Sequence, residues 1–122
     1  YNLGLQYETS LSADYDLVLR MDYMEVGETW FHTVQDDQQP SVWTALLGFP
    51  VASDMTRSVR DPYELIDFRA SLIGEKLSLT LWGRNITDEE YLAEVIPAPE
   101  FGGSFIHEAP YATYGIDLKY NF

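Results

Sequence analysis

From Ala112 to the end of the chain, one parity reads Ala112, Tyr114, Ile116, Leu118, Tyr120, Phe122, and the other reads Tyr111, Thr113, Gly115, Asp117, Lys119, Asn121. Strict alternation over about eleven residues predicts a β-strand with one apolar and one polar face. The split recurs upstream. Leu3, Leu5 and Tyr7 alternate with Asn2, Gly4, Gln6 and Glu8, and Tyr15, Leu17, Leu19, Met21 and Tyr23 with Asp16, Val18, Arg20, Asp22 and Met24. Ile66, Phe68, Ala70 and Leu72 alternate with Leu65, Asp67, Arg69 and Ser71, a weaker case because Leu65 falls on the polar side. Leu77, Leu79 and Leu81 alternate with Ser78, Thr80, Trp82 and Arg84. The apolar parity carries no charge in any of the five runs.

The connections alternate too. Thr9 to Asp14 and Gly74-Glu75-Lys76 are short turns, whereas Phe31 to Pro62 and Asn85 to Pro110 are long. This pattern puts both long loops on one side of an antiparallel up-and-down meander of about five strands, an all-β fold. In outer-membrane barrels the short turns are periplasmic and the long loops extracellular. Aromatic residues bracket aliphatic ones along the stripes, as at membrane interfaces. The expected fold is therefore part of a larger transmembrane β-barrel, since five strands are too few to close one. A soluble secreted β-sandwich binding module is the alternative, because its strands also bury one face and wet the other.

Composition narrows the function. Seven Lys and Arg against twenty Asp and Glu leave a net charge of −13, which repels nucleic acid and disfavours docking on anionic lipid. The absence of Cys removes disulfides, thiolate metal sites and thiol nucleophiles. No run reaches the roughly 18 apolar residues of a membrane-spanning helix; Val42 to Ala52 is interrupted by Thr44, Gly48 and Pro50. The chain starts at Tyr1 and is read as a piece of something longer.

The stretch Leu79-Thr80-Leu81-Trp82-Gly83-Arg84-Asn85-Ile86-Thr87-Asp88-Glu89-Glu90-Tyr91 resembles the signature near the C-terminal end of TonB-dependent outer-membrane receptors. In that family a hydrophobic strand runs into Asn-Leu-Thr-Asp-x-x-Tyr, followed by a loop and a last strand ending in an aromatic residue. Here the last strand closes on Tyr120-Asn121-Phe122. Asp67 to Leu72 is similar to the family's preceding strand, and Leu17 to Glu28 to a strand running into a surface loop. The resemblance implies that residues 1–122 are the C-terminal segment of such a barrel, without the plug domain, the TonB box and most strands. It implies an active transporter in the outer membrane of a Gram-negative bacterium, importing a large scarce solute such as an iron–siderophore complex, cobalamin or an oligosaccharide. Implied partners are membrane lipid and lipopolysaccharide, the barrel-assembly machinery and, through the missing N-terminal part, periplasmic TonB.

Within the motif, Asn85 and Asp88 carry short polar side chains that bond nearby backbone and favour leaving a strand, Thr87 can cap, and Tyr91 can pack back at the water interface. Turn formation at the outer rim is one role and direct ligand contact the other. Asn85-Ile86-Thr87 also matches a glycosylation acceptor, a coincidence in a bacterial surface protein. Tyr120 and Phe122 resemble the C-terminal signal read by the assembly machinery.

No catalytic constellation accompanies these features, and neither an enzyme nor a cofactor is expected. His32 and His107, in the two long loops, are either solvated or, with Asp36, Asp37 or Glu108, in contact with a metal-loaded ligand. Gly102-Gly103 lacks the strand–loop–helix context of a phosphate cradle, and no Gly-x-Ser-x-Gly elbow occurs. The loop aromatics Trp30, Phe31, Trp43, Phe49, Phe101 and Phe105 either line a ligand vestibule or pack the loops together. The polar parity mixes signs (Asp16, Arg20, Asp22, Asp67, Arg69, Arg84, Asp117, Lys119), as a water-filled or plug-filled lumen requires.

Overall fold

The five alternating runs form one antiparallel sheet in the computed structural model, which describes residues 1–35, 38–49 and 52–122. In chain order the strands are β1 (Asn2–Ser10), β2 (Tyr15–Val26), β3 (Thr29–Trp30), β4 (Gln38–Pro40), β5 (Ala52–Asp54), β6 (Val59–Arg60), β7 (Tyr63–Gly74), β8 (Leu77–Arg84), β9 (Leu92–Ala98), β10 (Gly103–Glu108) and β11 (Thr113–Tyr120). A helix, α1 (Val42–Leu47), precedes β5, and a single 3-10 turn (Pro99–Phe101) precedes β10. The chain divides into a sheet unit (1–26, 63–89, 110–122) and a loop unit (27–62, 90–109).

In the sheet unit the order β1-β2-β7-β8-β11 follows the chain, and every neighbour is antiparallel. Period-two side-chain alternation means that register decides which residues share a face. Across the sheet, Tyr7, Leu19, Ala70, Leu81 and Ile116 fall in one row, and Thr9, Leu17, Leu72, Leu79 and Leu118 in the next. Gln6, Arg20, Arg69, Trp82 and Gly115 form a row of the opposite parity. All five apolar parities therefore merge into one face. Leu65 lies opposite Met24, so the apolar interruption of the polar face on β7 has an apolar cross-strand neighbour.

The unit holds a single layer, and among the described residues nothing within it covers the apolar face. Ile116 is 70% exposed and Leu118 68%. The short connections are tied by hydrogen bonds. Ser10 Oγ donates to Asp16 Oδ1 at 2.6 Å across the first, and the second is held from outside by Asn121, just past β11, which donates from its backbone N to the Lys76 carbonyl and from Nδ2 to the Glu75 carbonyl, at 2.9 and 3.2 Å.

The loop unit is more ordered than two plain loops. It contains the antiparallel pairs β3–β6, β4–β5 and β9–β10. Ser41 caps α1 by accepting from the Thr44 N–H, and Gly48 ends it in the left-handed region at φ 68°. The buried Met55, Val95, Ala98 and Ala109 belong to this unit, with Ser41, Ser53 and Ser58 buried as well. Buried hydroxyls need partners: Ser58 Oγ shares a hydrogen bond with Ser104 Oγ at 2.9 Å, and Ser53 Oγ donates to the Pro99 carbonyl. Arg60 donates from Nη1 to the Leu92 carbonyl (3.1 Å) and from Nη2 to Thr29 Oγ1 (3.3 Å), with its guanidinium over the Phe31 ring. One cation thereby joins β6, β3 and β9.

Candidate functional site

Two arrangements in the sheet unit bring chemistry-bearing residues together. The first stands at the end of β8. Asn85 and Asp88 have positive φ, 49° and 56°, a conformation that Asn and Asp tolerate best among residues with a Cβ. The chain turns there, and the Asp88 N–H donates to the Asn85 carbonyl at 2.9 Å. The Asn85 side chain is buried and satisfied in both directions. Its Nδ2 donates to the carbonyls of Glu89 (2.9 Å) and Pro110 (3.5 Å), while its Oδ1 accepts the Glu89 N–H (2.9 Å). Asp88 Oδ1 accepts the Ala112 N–H at 2.7 Å, ahead of β11. The backbone N–H of Asn85 donates to Asp67 Oδ1 on β7.

The motif thus clasps three strands, β7, β8 and β11, at one end of the sheet. Both residues serve the turn, and the two polar atoms of the Asn85 amide each have a backbone partner. Thr87 is exposed and caps no group among the described residues. Tyr91 is half-buried in the loop unit, where its carbonyl accepts the Ala109 N–H.

The second arrangement is the polar face, where a trough of about 620 Å³ runs between β1 and β11. Arg20 grips Asp22 through two hydrogen bonds of 2.7 Å from Nε and Nη2. Both are about half exposed, so this bidentate pair contributes little to stability. Arg69 lies opposite Arg20, and Asp67 opposite Asp22. Arg84 stacks over Trp82 at 5.6 Å. The trough can hold water or a polar surface of mixed charge.

The candidate ligand residues of the long loops all lie in the loop unit, where α1, which carries Trp43, packs against the 3-10 turn of Phe101, and that turn against β10, which carries Phe105. His32 Nδ1 accepts the Val34 N–H at 3.0 Å, a local turn, while His107 is exposed on β10 opposite Glu94. Asp36 and Asp37, their suggested companions, and Pro50 lie outside the described residues. No group of three His, Asp or Glu placed to hold a metal occurs among the described residues. The aromatics divide. Trp30 donates to Glu28 Oε1 at 2.8 Å and Phe31 lies under Arg60, both half-buried, whereas Trp43, Phe49, Phe101 and Phe105 remain 45–64% exposed. Tyr120 and Phe122 meet edge-to-face at 5.1 Å.

No family model, curated protein or solved structure matches this chain. Sequence reasoning missed Asp67, Glu89 and Pro110 as partners of Asn85. Asp67 and Pro110 are 18 and 25 residues away along the chain, and nothing local marks them.

Proposed function

We propose that the chain is the C-terminal segment of a TonB-dependent receptor barrel in the outer membrane of a Gram-negative bacterium. The observation that carries this reading is the single apolar face, continuous over five strands and uncovered, backed by a charged face. Water penalises such a face, because contiguous exposed apolar surface beyond a few hundred Å² is rare on monomeric soluble proteins. A bilayer rewards it, while a lumen of water or plug suits the charged face. The Asn85 clasp is consistent with the motif's place at the outer rim, where strands give way to loops.

On this reading the parent protein imports a large scarce solute, an iron–siderophore complex, cobalamin or an oligosaccharide, using energy relayed by TonB to a plug outside these residues. No covalent step and no cofactor are involved. On this reading the connections and open two-stranded pairs of the loop unit are kept out of contact with lipid, because exposed loops and sheet edges are not tolerated in the hydrocarbon.

Fractionation tests the reading. The protein bearing this segment should stay in the outer-membrane fraction through high salt and alkaline carbonate and leave it only with detergent. Recovery as a folded soluble protein would favour the β-sandwich module instead. Uptake of the three solute classes, with and without TonB, then separates transport from mere membrane residence.

A further inference from the structure

Arg69 stands mid-sheet with a cross-strand neighbour on either side, Arg20 on β2 and Trp82 on β8, and both turn away from it. Arg20 leans over β1, where its Nη1 reaches Gln6 Oε1 at 3.5 Å while Nε and Nη2 hold Asp22. Trp82 leans the other way, its indole lying over Gly115 on β11. The trough opens between them, and among the described residues the Arg69 guanidinium makes neither an ion pair nor a hydrogen bond. Arg84, also lining the trough, stacks over Trp82 and holds no carboxylate among the described residues either. Because Arg69 pairs with Trp82, Arg84 is its diagonal neighbour, a relation that spans about 7–8 Å and lies within reach of long side chains. Two guanidinium groups can therefore converge on one guest.

Two cations without a counter-charge are unexpected in a chain with twenty acidic residues and seven basic ones. The carboxylates around them are engaged or set back. Asp22 is taken by Arg20, and Asp67 Oδ1 accepts the Asn85 N–H. Asp117 lines the trough one row farther along β11, opposite Thr80 rather than Trp82. We infer that Arg69 and Arg84 form a binding site for a small oxyanion, a carboxylate or phosphate group carried by a molecule that fits the trough. The fork of a guanidinium matches either group through paired, charge-assisted hydrogen bonds. A volume of about 620 Å³ falls in the range of small-molecule sites, and the net charge of −13 repels polyanions such as nucleic acid. The inference rests on the sheet unit alone and stands apart from the transport reading.

The test uses the full chain in a maltoside detergent, which carries neither phosphate nor carboxylate, and reads the arginine Nε–H signals by NMR during separate titrations with inorganic phosphate and glutarate. Arg69 and Arg84 should shift together and saturate, while Arg57, an exposed arginine of the loop unit, stays still. Saturation by either anion supports the site, and the tighter of the two names the group. Arg69→Gln and Arg84→Gln should each weaken binding about tenfold, as the loss of one charge-assisted bond predicts. Amide exchange in β2 and β7 reports that each variant keeps its sheet. Failure of both anions to saturate the signals below about 10 mM, a weak affinity even for a small ligand, overturns the proposal. An equal response of Arg57 does so too, since the anions would then be screening charge at large, and so does unchanged affinity in both glutamine variants.

Discussion

The backbone N–H of Asn85 donates to the carboxylate of Asp67 at 2.9 Å, so the residue that ends β8 is held by the strand beside it. Asn85 therefore does two jobs, one conformational at φ 49° and one through its buried amide. Asn85→Gly keeps the first and loses the second, which should cost about 1–3 kcal/mol for partners left unsatisfied. Asn85→Ala loses both, and the left-handed backbone should add roughly 1–2 kcal/mol. Denaturant unfolding in detergent compares them; an alanine variant no worse than the glycine variant would remove backbone strain from the account.

Leu118 and Asp117 are neighbours in β11 that point to opposite faces. Leu118→Arg should cost roughly 2–4 kcal/mol in lipid vesicles if the apolar parity faces the bilayer, and Leu19→Arg should behave alike. Asp117→Asn should stay within about 0.5 kcal/mol. Equal losses at the two positions would mean that the faces are assigned wrongly.

Gly115 lies opposite Trp82, whose indole covers it. A Cβ at 115 would stand 2.5 Å from Trp82 Cε2 and 2.9 Å from Nε1, so Gly115→Ala must push the ring away. We expect a loss of about 1–3 kcal/mol and a shifted Trp82 emission. In a double-mutant cycle, Trp82→Leu should recover most of that loss. Simple additivity of the two substitutions would show that the contact is not the cause.

Asp54 accepts the Thr56 hydroxyl and, at 3.0 Å, the Thr56 N–H. These two bonds, the hydroxyl first, hold its carboxyl below the usual carboxylate range. A depressed folded value means that the stabilisation is present above the unfolded value, about pH 4, and is lost as pH falls through the lower folded one. Thr56→Val removes the hydroxyl bond and should raise the Asp54 pKa, which carboxyl NMR titration reads directly. An unmoved titration would assign the shift elsewhere.

Phe122 touches Tyr120 edge-to-face and is otherwise fully exposed. Its ring therefore adds little to intrinsic stability. Deleting it from the parent protein should lower the amount assembled in the outer membrane much more than it lowers the unfolding midpoint of what does assemble. Unchanged surface levels would argue against a role in recognition by the assembly machinery.

The sheet was legible in the chain because alternation and short turns are local signals. Leu77–Arg84 begins and ends where its pattern does, and the turn at Glu75-Lys76 sets the pairing of β7 with β8 without further information. The merging of five apolar parities into one face follows from register, and register follows from those turns only for β1–β2 and β7–β8. The joins β2–β7 and β8–β11 cross the long loops, and only the tertiary structure decides them. The same holds for the loop unit, whose two- and three-residue strands are too short to carry a period and take their positions from Arg60, Ser58 and their distant partners. Asn85 shows both limits in one residue. Its suitability for a turn is written in its own short amide, but what that amide holds, from Glu89 to Pro110, depends on strands that meet only after the sheet has formed.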